Sequence, residues 1–264
     1  MTHPLAVAAA AASAALGVRV ASRRGWLPGG SERWERTNHA GDPVTLTEGL
    51  SLAVGAVAPL LLVDPAAAWA VGESAVAGAL DDVDGRTDVK GLRGHLRLLR
   101  NGELTSGVVK ILALVEAGAV SVAWSDRRSG RGLGAHTLAG AGLVAGAANL
   151  ANLFDLRPGR ALKVFLACGL PLAAAGRPAA AAVVGAGLVV LPDDLRGRSM
   201  LGDTGANPLG AAVGLAAAQL LPDRGRWMAL GVVTGLVLAS ERVSFSAVID
   251  RTPVLRAVDR WGRA

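Results

Sequence analysis

Residues 66–84 read AAAWAVGESAVAGALDDVD, an apolar run that ends on Asp81-Asp82-Val83-Asp84. Glu73 is its one charge before the acidic end, so a helix built from it lacks the broad polar face of a helix lying on a soluble core. The stretch reads as a membrane span that delivers three carboxylates to one face of the bilayer.

The same grammar repeats along the chain. Eight further apolar stretches lie at 4–18, 46–63, 108–124, 133–148, 162–175, 178–192, 207–221 and 227–240. Over 264 residues the chain is 52% apolar, with mean hydropathy +0.42, no Tyr and three Phe. A soluble Ala-rich bundle needs a polar stripe on each helix, and most of these stretches have none. The expected fold is therefore an all-α, polytopic membrane helix bundle of about nine transmembrane helices. Met1-Thr2-His3-Pro4 lacks the basic start of a secretory signal, so the first stretch is expected to be a retained span. The lone Cys168 gives neither a disulfide framework nor a thiol metal site.

Orientation follows from the basic residues. Of 27 lysines and arginines, all but Arg127, Arg128, Arg131, Arg177, Arg224 and Arg226 fall in or beside alternate gaps. The positive-inside rule then puts the N-terminus outside and the C-terminus in the cytoplasm. Trp69, Trp124 and Trp227 fall near the outer ends of their spans, where interfacial aromatics belong. The net charge of +6 is mostly a topology signal, and dispersed loop charges without a binding fold argue against nucleic acid. Residues 1–240 are expected to form one transmembrane domain with cytoplasmic motif loops. Residues 241–264, where Val, Ile and Leu interleave with charge, are expected to form a cytoplasmic amphipathic tail on the inner leaflet.

In this orientation three polar motifs face the cytoplasm together. Asp81, Asp82 and Asp84 crowd their charges, which suits Mg²⁺ and a phosphorylated substrate or simply a solvated helix end. Asp203, in Met200-Leu201-Gly202-Asp203-Thr204-Gly205, opens the eighth span, where free backbone N–H groups favour an anion; a plain N-cap is the other reading. Asn149, Asn152 and Asp155 recur every three residues and share a helix face, suited to a nucleoside or to capping and packing. Lys90 and Lys110 lie between, able to meet a diphosphate or to snorkel to headgroups.

Four motifs in order make the chain resemble the polyprenyl-phosphate sugar-1-phosphate transferases, the superfamily of phospho-N-acetylmuramoyl-pentapeptide transferase and UDP-N-acetylglucosamine:undecaprenyl-phosphate transferase. The resemblance rests on Asp81, Asp82 and Asp84, on Lys90-Gly91-Leu92, on Asn149, Asn152 and Asp155, and on Gly202 to Gly205. The early loop Arg36-Thr37-Asn38-His39-Ala40-Gly41 is also similar, and the likeness runs from about residue 33 to 215.

The resemblance implies a multi-pass enzyme of the cytoplasmic membrane serving cell-wall or other envelope biogenesis. A polyprenyl phosphate would attack a UDP-sugar, releasing UMP and leaving a lipid-linked diphosphate sugar. By position, Asp203 would bind Mg²⁺ with Asp81, and Asp81 and Asp82 would handle the lipid phosphate. Asn149, Asn152 and Asp155 would lie at the nucleotide, while Lys90 and Lys110 neutralise the diphosphate. A homodimer is a further partner in view.

The chain also departs from the family. Pro158 stands where a second aspartate is usual, the late His-containing motif has no match, and one span is missing. Arg157 and Arg160, with Lys163, stand where they can replace the lost phosphate contacts. Two other readings follow: a catalytically weakened relative that binds lipid or nucleotide, and a small-solute transporter marked by intramembrane Glu73 and Glu116.

Overall fold

A computed structural model describes residues 3–27, 34–37, 41, 43–84 and 105–263. Lys90-Gly91-Leu92 and Asn38-His39-Ala40 of the early loop lie outside the described residues. Helix α1 (Pro4–Arg23) is followed by two short strands, β1 (Glu35–Thr37) and β2 (Pro43–Thr45). Then come α2 (Thr47–Val63), α3 (Pro65–Asp84), α4 (Ser106–Arg128), α5 (Ala135–Phe154), α6 (Arg160–Ala174), α7 (Pro178–Leu195), α8 (Gly202–Leu220) and α9 (Asp223–Ser240). Two short helices, α10 (Phe245–Arg251) and α11 (Pro253–Arg260), close the chain.

Each of the nine apolar stretches falls on its own helix. Local chemistry sets the boundaries: Pro4 and Pro178 occupy first-turn positions that need no N–H, and the Thr105 hydroxyl accepts from the Val108 N–H at 3.3 Å. The ribbon β1–β2 is antiparallel, pairing Glu35 with Thr45 and Thr37 with Pro43.

Among the described residues, α1, α4, α5 and α7 are long and apolar enough to cross a membrane. A fifth span results if α9 and α10, bent by 91°, count as one. Outward-facing Leu61, Leu62, Leu112, Leu138, Leu188 and Met228 present an apolar surface suited to lipid.

Helix α8 is not among these candidates: Asp203, Asn207, Gln219 and its glycines lower its hydropathy, and its surface is covered by protein. It is buried almost continuously from Gly202 to Ala218, against α2, α3, α5, α6 and α7. Small residues let its neighbours approach. A Cβ on Gly49 of α2 would collide with the Leu201 carbonyl, and one on Gly78 of α3 with the Asp203 carbonyl. Two glycines therefore bring the acidic end of α3 and the start of α2 onto the first turn of α8.

Tertiary bonds distinguish the two ends of the bundle. At one end, the Gln219 amide donates to Asp64 Oδ2 at 3.1 Å and Ser125 Oγ at 3.2 Å. There Arg226, 1% exposed, makes a bidentate pair with Asp126 at 3.0 and 2.7 Å, and Nε donates to the Ala218 carbonyl. Thr137 Oγ1 completes the Asp126 carboxylate at 2.9 Å. Trp69, Trp124 and Trp227 ring this end, partly exposed. The polar motifs gather at the other.

Candidate functional site

The site starts with three helix ends. Asp81 and Asp82 close α3, Lys110 lies in the second turn of α4, and Asp203 opens α8. Lys110 Nζ donates to Asp81 Oδ2 at 2.6 Å and to Asp203 Oδ2 at 2.5 Å. One ammonium thus compensates two carboxylates drawn from helices far apart in sequence. All three side chains keep 14–22% of their surface exposed, so solvent or a ligand reaches them.

Asp82 does different work. Its carboxylate accepts from the Asp203 N–H at 3.2 Å, the Thr204 N–H at 2.9 Å and the Thr204 hydroxyl at 2.6 Å. The α8 N-terminus is therefore capped by a side chain from α3, which satisfies the helix dipole with an internal anion. This corrects two expectations. Neither Asp203 nor Thr204 caps its own helix, and the backbone N–H groups expected to receive a phosphate are already taken. Gly202 at φ +58° makes the tight entry to α8 possible.

The Asn149, Asn152 and Asp155 face arrives from α5. Asp155 follows the last residue of that helix and lies close to the cluster. Burial pushes its carboxyl well above the usual range, and the nearby Asp194, Asp203 and Asp82 carboxylates add to the effect, while a hydrogen bond from the Gly202 backbone opposes it. Asn149 lines a cavity of about 340 Å³ whose walls include Lys110, Leu114, Leu153, Val237 and Glu241. Asn152 is half-buried one turn beyond. The cavity walls are mostly apolar, with polar groups contributed by Lys110, Asn149, Ser240 and Glu241. Asp84 is the last residue of α3, and Lys90 lies outside the described residues.

The basic group downstream is not part of this cluster. Arg160, 3% exposed, was expected to face phosphate; instead Nε reaches Asp259 Oδ1 at 2.7 Å, one terminal nitrogen reaches Asp259 Oδ2 at 3.2 Å, and the other reaches Ser246 Oγ at 2.8 Å. Lys163 donates to the carbonyls of Val258, Asp259 and Trp261, ending α11 as a cation should. Arg263 donates to the Pro158 carbonyl and Asp259. Arg157 lies in the adjoining turn, close enough to Arg263 for their charges to oppose. These residues fasten the tail to the α5–α6 turn. Burial opposes the Asp259 charge, but hydrogen bonds from Arg160 and the charges of Arg160, Arg263 and Lys163 outweigh it and hold the carboxyl below its usual range.

The reading of the sequence missed Glu48, Asp194 and Ser199, all buried at this end. Asp193-Asp194 at the end of α7 repeats the pattern of Asp81-Asp82 at the end of α3, and that pattern was the available signal. Glu116, by contrast, is exposed on α4, so it does not share an internal path with half-buried Glu73.

Among the described residues, no group of three or more His, Cys, Asp or Glu side chains is arranged to hold a metal by itself. The pair Asp81 and Asp203 nonetheless offers hard oxygen donors of the kind Mg²⁺ takes from one or two carboxylates when phosphate supplies the rest. The donor set fits Mg²⁺ carried in with a diphosphate. No protein-family model matches the chain, and comparison with curated proteins gives no match.

Proposed function

We propose that the chain is a membrane transferase that moves a sugar 1-phosphate from a UDP-sugar to a polyprenyl phosphate, with Mg²⁺, releasing UMP at the cytoplasmic face. One observation carries the reading: Lys110 joins the carboxylates of Asp81 and Asp203 on one side and an apolar cavity on the other. A lipid phosphate needs that combination, a mostly apolar cavity beside a cation.

In this reading the nine long helices are spans, with the N-terminus outside and the C-terminus in the cytoplasm, as the distribution of basic residues supports. Lys110 turns from the two carboxylates to the incoming phosphates and neutralises their charge. Asp81 and Asp203 would hold Mg²⁺, which when bound would supply positive charge to offset that of the phosphates during transfer. Asp82 keeps the first turn of α8 in place, a positioning role. Asn149 borders the cavity and Asp155 lies near Asp203 and Asp82, and both would supply hydrogen bonds for the nucleotide. The reaction serves the building of envelope polysaccharide or peptidoglycan-type precursors.

The test is UMP release from a panel of UDP-sugars by purified protein with undecaprenyl phosphate and Mg²⁺. Turnover with one donor, abolished by chelation, is expected; a complete panel without UMP overturns the reading. A second reading draws on Lys110 standing between the carboxylates where a metal would bind: a relative that binds the lipid or nucleotide without turnover. Undecaprenyl phosphate retained by the wild type but not by Lys110→Ala, with no UMP formed, would select it.

A further inference from the structure

A second polar pocket lies at the motif end of the bundle, between the C-terminal turns of α1 and α7 and the first turn of α2. It encloses about 250 Å³ and is lined by Arg19, Arg23, Thr47, Glu48, Arg198 and Ser199 among others. Arg19 and Arg23 are four residues apart and share a face of α1. Arg19 donates to the Val189 carbonyl and to Asp193, which commits it to α7. Arg23 reaches the same Asp193 carboxylate at 3.1 Å, yet its side chain is 69% exposed and keeps donors for another acceptor. Arg198 stands exposed at the rim with no side-chain hydrogen bond or ion pair among the described residues.

Glu48 supplies the second, independent observation. It is 4% exposed, and one carboxyl oxygen accepts from the Ser199 hydroxyl. The other, Oε1, is buried without a hydrogen-bond partner among the described residues. A buried acceptor left unmade is costly, so such atoms usually mark a missing donor. The pocket therefore offers guanidinium donors and wants a hydroxyl. Bare phosphate would set its own oxygens against Glu48 and Asp193, whereas a phosphate with adjacent hydroxyls meets both demands.

We propose that this pocket binds a phosphate group bearing free hydroxyls, with Arg23 and Arg198 on the phosphate and Glu48 accepting from a hydroxyl. The headgroup of a polyol phospholipid and a soluble glycerol phosphate share this chemistry. The lipid source suits the location, since α1 and α7 are both able to cross a membrane and expose Leu16, Val20 and Leu188 near the pocket. Trp26, stacked under the Arg24 guanidinium at 4.9 Å, marks the same interfacial level. The inference stands apart from the transferase reading, because none of these residues belongs to the Asp81, Lys110 and Asp203 cluster.

The experiment is native mass spectrometry of the detergent-purified chain titrated with phosphatidylglycerol, phosphatidylcholine and phosphatidic acid, with calorimetry using sn-glycerol 1-phosphate. Phosphatidylglycerol should bind best, and the Arg23→Ala/Arg198→Ala pair should weaken it on the order of tenfold or more. Both residues are surface arginines, so the variant should fold, and an Arg256→Ala control should bind as the wild type does. Arginine-dependent binding of glycerol phosphate alone, without lipid selectivity, would support the site with a soluble occupant. Phosphatidic acid binding as well as phosphatidylglycerol would overturn the hydroxyl requirement, and binding indifferent to both arginines would overturn the site.

Discussion

The two ends of the bundle are each organised by a cation paired with carboxylate, one partner for Arg226 and two for Lys110, and they differ in how far they are closed. At the tryptophan-ringed end, Arg226 and Asp126 are 2% exposed at the side chain, and five hydrogen bonds among Arg226, Asp126, Thr137, His136 and Ala218 hold them. At the motif end, Lys110 spans Asp81 and Asp203 with 14–22% of each side chain exposed and an apolar cavity alongside. A dry network whose ion pair is buried and held by several hydrogen bonds offers little to a ligand and acts on stability. A half-open one keeps its charges available, which is what a binding site requires.

The largest effect expected from this contrast is on folding. Arg226→Ala leaves the Asp126 carboxylate buried and unpaired, a loss of about 3–5 kcal/mol, whereas Lys110→Ala should cost less than half of that because water reaches its partners. Chemical unfolding in mixed micelles measures both, and equal losses would erase the distinction between the ends. The apolar double variant Asp126→Leu/Arg226→Met should recover much of the stability, since no uncompensated charge remains.

Next in size is Asp203→Asn. If the motif end performs transfer, it should reduce UMP release on the order of 10²-fold or more with little change in stability. A comparable loss of stability and activity would instead make Asp203 a structural residue like Asp126.

Gly49→Ala probes how the motif end is held together. Its Cβ meets the Leu201 backbone, so the start of α8 must move, at about 1–3 kcal/mol. Gly231→Ala on α9, with open space around it, should be neutral or slightly stabilising in the same unfolding assay.

The smallest effect concerns the tail. Arg160→Ala removes the clamp on Asp259 and should speed proteolysis after residue 240 while leaving the bundle intact; Arg256→Ala should not. Because the folded Asp259 carboxyl is held below its ordinary range, its contribution is present at neutral pH and fades only as pH falls through and below about 4. Tail release already at pH 6 would contradict this pairing.

Much of the fold was legible because each helix announces itself locally. Unbroken apolar runs, Pro at first turns and acidic or basic ends gave every one of the nine stretches its helix. The convergence of Asp81, Lys110 and Asp203 was also legible, since parity of spans places them at one end. What was hidden is non-local. Nothing near Asp82 in sequence says that it caps a helix starting at Gly202, and nothing near Arg160 says that Asp259 will claim it. Both pairings depend on helix packing, as does the burial of α8 on all sides. A composition rich in Gly and Ala is compatible with that burial without specifying it.

In the proposed orientation the two ends lie on opposite sides of the membrane. On a Cys168→Ala background, cysteines at exposed Arg128 and Arg224 should react with an impermeant maleimide in intact cells, and one at exposed Arg196 should not. The reverse pattern would put the motif end outside.

The most direct test of the central claim, that the half-open end is the working one, is Mg²⁺-dependent UMP release compared across wild type, Lys110→Ala and Arg256→Ala. The account predicts turnover in wild type and Arg256→Ala, and its near-complete loss in Lys110→Ala with the protein still folded. Undiminished turnover in Lys110→Ala would contradict it.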